Sequence, residues 1–300
     1  MRTSEVFQNF LNNRFTIAQR LQNEDSRVSN RGTDTSTGFP IGYGSTSQDM
    51  YYANFLNSYA GRNVNSASLS PFIRFPLPSW NINYNGLSKI KSLKKIFTNI
   101  AISHSYVGRY TIGGYNAVNA AFQVDSLVPG ESFDPELQIS SISISERFSP
   151  LIGVNFSTKS GITGRVNYNR SRLVTFVPRS FQINENRREE IVISGGYRVT
   201  GLLLPFKSDG KRIYLANDLN INLDISIMDN LSIVRNIEQE INTPNSGQRM
   251  VSIKPNIQYK INEALNMNIY YNRQVTQPAV ANSFPTALTS AGIRMQYIFN

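Results

Sequence analysis

The chain has 300 residues, a formal net charge of +10 and 17% charged side chains, whereas about 25% is usual for soluble domains. It has no cysteine, which excludes a disulfide framework, a thiolate metal site and a cysteine nucleophile, and its single histidine disfavours a His-based relay. The net positive charge has two explanations. The basic residues lie in loops or line the lumen of a pore, or they bind an anionic partner such as lipopolysaccharide or an acidic chain. Nucleic acid ranks last, because the basic residues are scattered along the sequence.

Residues 1–70 are predicted to form a loop and short-helix segment, placed outside the membrane or inserted in a lumen. Apolar residues recur at spacings of three and four between residues 4 and 22, which favours an amphipathic helix over an irregular loop. Residues 23–50 are rich in Ser, Thr, Gly and Asp and predict a loop. Aromatic residues return at 51–64 and indicate a short packed helix.

No run of about 18 apolar residues occurs, so no transmembrane helix is predicted. The N-terminus also lacks the apolar region of a signal peptide. We therefore expect the chain to be the C-terminal part of a longer exported protein.

Residues 71–300 are predicted to be transmembrane β-strands, beginning with the strict alternation of Trp80, Ile82 and Tyr84 against asparagines. We expect about eleven strands, separated by turns that include 228–230 and 243–247 and by a connection at 178–188. After the strand at Trp80, their predicted ranges are 96–112, 137–146, 152–158, 161–177, 189–200, 212–227, 231–242, 248–260, 264–277 and 288–299.

These strands are long, and apolar and polar residues alternate along each of them. One set of alternate positions, here called the apolar parity, is apolar, and the other, the polar parity, is polar. Tilted strands of about 9–11 residues cross a bilayer, whereas strands of soluble proteins average about five or six. The polar parity consists of Asn, Ser, Arg and Gln almost without exception, which suits a wet lumen better than the mixed outer face of a sandwich. The predicted fold class is all-β: the C-terminal arc of a large antiparallel transmembrane β-barrel.

The last strand, 288–299, is predicted to close the barrel and to be recognised by the barrel-assembly machinery. Its apolar parity ends on an aromatic residue, as in outer-membrane barrels, although the last strand of a soluble sandwich also alternates. The residues proposed for this assembly signal are Gly292, Ile293, Met295, Tyr297 and Phe299.

Charged residues inside strands are candidates for a lumen lining, because an arginine on the lipid face costs about 2–4 kcal/mol at mid-depth. The candidates are Arg165, Arg294, Asp218 and Asp224. They form either the basic, hydrated wall of a lumen or a simple charge balance between neighbouring strands. Arg273 shares the apolar parity of Tyr271, so we expect it near the outer rim or after a β-bulge.

Aromatic residues near strand ends fit the two girdles of a membrane barrel, although single aromatics at strand ends of soluble proteins look the same. The candidates are Trp80, Tyr84, Tyr110, Tyr197 and Tyr259.

No enzymatic chemistry is predicted, and neither a cofactor nor a metal. His104 lies between apolar neighbours and is interpreted as structural or interface-facing. Asp218 and Asp224 are about 20 Å apart along an extended strand, which is too far for paired-carboxylate catalysis. The acidic and basic residues at 185–190 are interpreted as a solvated turn.

Several stretches, in the same order and over essentially the whole chain, resemble the C-terminal end of the SprA/Sov family, the giant outer-membrane translocon of the Bacteroidetes type 9 secretion system. These stretches are FQNFLNNR (7–14), GYGSTSQDM (42–50), PLPSWNINYNGLSK (76–89), FSPLIG (148–153), GYR (196–198), LPFK (204–207), NDLN (217–220), QP (277–278) and YIF (297–299).

The resemblance implies a very large single-chain barrel in the cell outer membrane whose lumen passes folded cargo. It implies as partners cargo proteins with a C-terminal signal domain, an accessory gate barrel at a lateral opening and a periplasmic plug. Flavobacterial members also support gliding motility by exporting surface adhesins. Two alternatives stay open: a self-contained small outer-membrane barrel or adhesin-like binding protein, and a soluble β-rich binding protein.

Overall fold

A computed structural model describes residues 4–29, 31–66, 68–73, 77–118, 132–208, 211–214, 217–280 and 283–298, with only the backbone described at 204–208 and 211–214. Two helices come first, α1 (Glu5–Glu24) and α2 (Gln48–Tyr59), here called the helical unit. Each begins at a serine whose side chain accepts a hydrogen bond from a backbone N–H three residues later, which is a favourable helix N-cap. The predicted helices at 4–22 and 51–64 are confirmed in kind, and α1 is 20 residues long.

The rest of the chain is mostly β-strand. The strands in chain order are β1 (Ser79–Tyr84), β2 (Phe97–Ile112), β3 (Tyr115–Ala117), β4 (Leu137–Ile139), β5 (Ile142–Thr158), β6 (Ile162–Val177), β7 (Gln182–Val199), β8 (Leu203–Ser208), β9 (Lys211–Tyr214), β10 (Leu219–Asn236), β11 (Ile241–Lys260), β12 (Leu265–Pro278) and β13 (Thr286–Tyr297). Short helical turns lie at Gly86–Lys89, Lys91–Lys94 and Pro178–Ser180.

Among the described residues, nine strands form one antiparallel sheet in the order β1-β2-β5-β6-β7-β10-β11-β12-β13. The sheet does not close: β1 pairs only with β2, and β13 only with β12. Two further pairs of strands, β3–β4 and β8–β9, each form a separate two-stranded sheet. The all-β, antiparallel part of the predicted fold is therefore confirmed.

Several predicted strand boundaries are wrong, because cross-strand pairing overrides local turn signals. The turn predicted at 228–230 lies inside β10, where Asp229 is opposite Glu189 on one side and Arg249 on the other. The turn predicted at 243–247 lies inside β11, at a register shift next to Pro244. The connection predicted at 178–188 is a turn of a few residues. The strand predicted at 137–146 is divided between β4 and the start of β5, and β5 continues without a break through the strand predicted at 152–158.

The helical unit packs on one end of the sheet, and the two share one core. Phe176 of β6 is fully buried, and its ring centroid lies 6.0 Å from Tyr51, 6.3 Å from Tyr52 and 5.7 Å from Phe55 of α2. Burying one such ring contributes about 2–3 kcal/mol. The helices are therefore seated on the sheet itself, at the end where β6 turns into β7.

Candidate functional site

The nine-stranded sheet has two chemically different faces. Residues directly opposite each other on paired strands share a face, so the register assigns each position. The apolar face is represented on β10 by Ile221, Leu223 and Ile225, and the polar face by Asn222 and Asp224. The helical unit sits on the apolar face, because Phe176 shares that face with Ile183 and Arg235.

Below the helical unit the apolar face is exposed. Large apolar side chains on seven neighbouring strands, β5 to β7 and β10 to β13, leave more than a third of their surface uncovered. They include Ile152, Ile162, Val166, Ile191, Ile193, Tyr197, Ile221, Leu223, Ile227, Ile253, Ile269, Tyr271, Ile293, Met295 and Tyr297. We call this surface, continued on β1 and β2 by Ile82, Tyr84 and Ile102, the apolar band.

The apolar band has a definite height. On β10 it runs from Leu219 to Ile227, which at the usual rise is about 27 Å along the strand. Strands tilted as in β-barrels would give such a band a height of about 20 Å. Above Ile227 the same face becomes charged: Asp229 accepts a 2.7 Å hydrogen bond from Arg249, and Arg170 lies 3.5 Å from Glu189. The outward belt of membrane barrels is about 25 Å tall.

The C-terminal strand continues this pattern. Ile293, Met295 and Tyr297 lie on the apolar face, and their surfaces are 64%, 63% and 56% exposed. Gly292 lies on the polar face beneath the ring of Tyr270, where a Cβ atom would come 2.8 Å from the Tyr270 hydroxyl oxygen. Phe299 lies outside the described residues.

The predicted girdle aromatics fall in two environments. Trp80, Tyr84 and Tyr197 lie exposed on the apolar face, and Tyr259 lies there partly buried. Tyr110 differs, because it lies in the half of β2 that the chain after α2 covers. Its hydroxyl donates a 2.6 Å hydrogen bond to the carbonyl of Pro71.

Arg273 stays on the apolar face, and no register shift separates it from Tyr271, so the bulge explanation is wrong. Its cross-strand partners are Ile253 and Thr289. On β12 it is the first polar position above Leu265, Met267, Ile269 and Tyr271 of the same face. Its cross-strand row includes Ile225 and Ile253, one row below the row of Ile227 and Val275 at the top of the apolar band, so the outer-rim position stays a prediction.

A charge cluster joins the sheet to the helical unit, and the sequence interpretation missed it. Glu185 of β7 is completely buried and accepts hydrogen bonds from Arg172 at 3.0 Å, Arg187 at 2.6 Å and Arg235 at 2.6 Å. The Arg235 guanidinium also lies 5.4 Å from the ring centroid of Phe7 in α1. The solvated turn expected at 185–190 is therefore wrong: these residues belong to a strand, and Glu185 is its most buried member.

The predicted lumen charges all lie on or next to the polar face, but at three separate places. Arg165 and Asp224 flank Ser194 in one cross-strand row and line a shared hollow of about 360 Å³. Asp218 forms an ion pair with Arg198 just before β10. Arg294 lies three strands away, with its guanidinium 6.0 Å from the Tyr270 ring centroid.

The only histidine has a structural contact. His104 Nδ1 lies 2.6 Å from the carbonyl oxygen of Leu151, which can only accept, so the imidazole donates. Its ring centroid lies 6.3 Å from Trp80 and 6.0 Å from Phe148. This environment fits a packing role for His104.

An acidic residue of the helical unit has an unusual environment. The Asp49 carboxyl faces a cleft of about 710 Å³ and accepts a 3.3 Å hydrogen bond from the backbone N–H of Glu136. Burial, and next to it the charge of Glu136, raise the pKa of Asp49 to about 7. At neighbouring Asp25, hydrogen bonds from Arg27 and Tyr43 outweigh burial and lower the pKa.

In the part of the chain that the structure describes, no group of three or more His, Asp or Glu side chains could hold a metal ion. Within the same residues, no helix has the length and apolar character needed to cross a membrane.

No protein-family model matches the sequence, and a search of curated proteins finds no significant relative.

Proposed function

We propose that this chain forms part of the wall of a transmembrane β-barrel in a bacterial outer membrane, and that the barrel is a protein-translocation pore of the type 9 secretion system. The apolar band is the observation that supports the first part of this proposal, the location of the chain in a membrane. A face that exposes large apolar side chains on neighbouring strands is unusual for a soluble monomer, whose largest patch is about 300–600 Å². Lipid would cover the band, and the polar face would line a hydrated lumen.

The open sheet supports a wall that is completed by further strands. Unpaired strand edges are not tolerated in lipid, so β1 and β13 both need a partner. In the described residues these two strands do not pair with each other. A small self-closed barrel or an adhesin-like protein, the alternative function, would require them to meet.

The second half of the proposal rests on the resemblance to the SprA/Sov translocon. Folded cargo with a C-terminal signal domain would pass along the polar face, and in cells that glide this export would support gliding motility. The gate barrel, the periplasmic plug and the barrel-assembly machinery would be protein partners, and lipopolysaccharide would surround the outer rim. No catalytic step is part of this function.

The native tryptophan allows a direct test of membrane insertion. Trp80 is 42% exposed on the apolar face, and its cross-strand row continues to Tyr106 and Phe148. In reconstituted vesicles, bromine atoms on lipid acyl chains should quench Trp80 fluorescence, and aqueous acrylamide should quench it poorly. Recovery of the wild-type chain in the soluble fraction without detergent would refute the proposal.

A matched pair of variants tests which face meets lipid. Leu223→Arg places a charge in the middle of the apolar band, at a cost of about 2–4 kcal/mol in a bilayer, whereas Asn222→Arg places it on the polar face. We expect L223R to lose lipid quenching of Trp80 and N222R to retain it. Equal behaviour of the two variants would contradict the assignment of faces.

A further inference from the structure

The polar face of the sheet is distinctly basic. The cross-strand register places eight basic side chains on it, and three acidic ones if Asp218 next to β10 is included. The basic residues are Arg109, Arg147, Arg165, Arg188, Arg198, Lys254, Lys260 and Arg294, and the acidic ones are Glu190, Asp218 and Asp224. This face therefore attracts anions along its whole width.

The basic residues are densest at one hollow, which we call the arginine hollow. Arg147, Ser171 and Arg188 are opposite one another on β5, β6 and β7. Since neighbouring strands are about 4.8 Å apart, the two arginine Cα atoms are about 10 Å apart. Between them lies a hollow of about 420 Å³, also lined by Asn169 and Asn230. The short side chain of Ser171 leaves this space open.

The charges of the arginine hollow are not balanced within the protein. Glu190, its acidic lining residue, lies 3.3 Å from Arg188. Arg147 is exposed, and so is Arg109, whose cross-strand partner Ser145 also lines the hollow. Neither Arg109 nor Arg147 forms an ion pair with another described residue. Two guanidinium groups are thus available to an external anion.

We propose that the arginine hollow binds side-chain carboxylates of an acidic polypeptide segment that moves along the polar face. Guanidinium groups bind carboxylates through two parallel N–H···O hydrogen bonds. Arg147 has no ion pair among the described residues, and Arg188, about 10 Å away, would exchange its 3.3 Å contact with Glu190 for a carboxylate of the same extended segment. The inference rests on the proposed function and gives its cargo a chemical preference.

The two-faced sheet favours a polypeptide over a membrane glycolipid as the ligand. A lipid-anchored anion would sit against the apolar band and meet Arg249 and Arg273 on that face. Arg147 and Arg188 lie on the opposite face of the same sheet. Exposed ion pairs of this kind are individually weak, which permits release as well as capture.

The test measures fluorescence anisotropy of labelled hexaglutamate, hexaglutamine and hexalysine peptides with the full 300-residue chain in detergent. We expect binding of hexaglutamate alone, weakening with added salt. Arg147→Gln and Arg188→Gln should each weaken this binding about threefold to tenfold. Neither substitution removes a group that the described residues bury.

Two control variants are matched to these by environment. Arg273→Gln removes an exposed arginine of the apolar face that, like Arg147, has no ion pair among the described residues. Arg249→Gln removes an arginine that is paired with Asp229, as Arg188 is with Glu190. Both controls should bind hexaglutamate as the wild type does. Equal weakening in the controls would mean that net charge alone binds the peptide, and would overturn the proposal.

Lipopolysaccharide serves as the competing ligand in the same assay. If R147Q weakens binding of lipopolysaccharide and leaves hexaglutamate binding unchanged, the hollow is a glycolipid site and the proposal is wrong. Absence of hexaglutamate binding to the wild type would also overturn it. Lipid quenching of Trp80 is measured separately, so failure of membrane insertion and failure of peptide binding are distinguishable.

Discussion

Asp49 couples protonation to the stability of the helical unit. Burial raises the pKa of its carboxyl to about 7 in the folded chain, from an ordinary value of 3.8. Between these two values the folded state binds a proton that the unfolded state has released. Stability should therefore fall as pH rises from about 4 to about 7, and should then level off.

We predict that this unit is more stable at about pH 5 than at about pH 8, by no more than about 3 kcal/mol. Urea unfolding followed by near-ultraviolet circular dichroism measures the difference, since Tyr43, Tyr51, Tyr52 and Tyr59 are all buried here. Asp49→Asn keeps the side-chain shape and removes the titration, so the slope should flatten. A slope that is unchanged in D49N would assign the effect to another group.

At the scale of single residues, the burial of Glu185 could not be predicted from the sequence around it. The run from Glu185 to Glu190 has the composition of a solvated turn. Its burial depends on Arg235, which is 50 residues away in sequence, and on Phe7, still further away. No local pattern contains that information, whereas the parity of Arg165 and Asp224 does predict the face on which they lie.

At the scale of elements, the hairpin of β12 and β13 depends on a close contact at Gly292. The Tyr270 ring lies across this position, and a Cβ atom there would come 2.8 Å from its hydroxyl oxygen and 3.0 Å from Cζ. The ring must therefore move if any side chain is added. Gly195 of β7 is a natural control, because a Cβ atom added there would have no other atom within 4 Å.

We predict that Gly292→Ala destabilises the chain by about 1 kcal/mol, and that Gly195→Ala is neutral or slightly stabilising. The urea midpoint of the detergent-solubilised chain, followed by far-ultraviolet circular dichroism, measures both. A lowered midpoint in G195A, or an unchanged one in G292A, would show that the Tyr270 contact is not what position 292 requires.

Strand existence was easier to predict than strand length. β2, β6, β12 and β13 lie within a few residues of their predicted ranges, because each has an uninterrupted alternation between clear turn residues. β10 does not, since Asp229 and Asn230 look like a turn. Their partners across the sheet, which include Glu189 and Arg249, keep them extended, and pairing of that kind is not visible in one strand alone.

At the scale of the whole molecule, the open sheet leaves two edges whose backbone groups are unpaired. β7 and β10 pair on both sides, whereas β1 and β13 pair on one side only. Amide hydrogen exchange of the isolated chain in detergent should therefore be fast at outward-facing amides of β1 and β13. Exchange in β7 and β10 should be slower by orders of magnitude.

Equal protection at the two edges and in the centre would mean that the edges are covered, by each other or by a second copy.

The nine-stranded arrangement was predictable as an antiparallel β architecture from its alternating strands. The position of the helical unit on the apolar face was not predictable from the sequence. Its core brings Phe7 and Tyr51 into contact with Phe176 and Ile183, which are more than a hundred residues away.

The length of β10 has a mechanical consequence. This strand runs without a break from Leu219 in the apolar band to Asn236 beside the helical unit, and so does its neighbour β7, whereas β11 does so with one register shift next to Pro244. About half of each strand thus stands clear of the band as a rigid collar, and the helices rest on that collar. The collar and the apolar band therefore move together. A force that tilts the helices also tilts the strands in the band, because the strands continue from one to the other with no hinge between them.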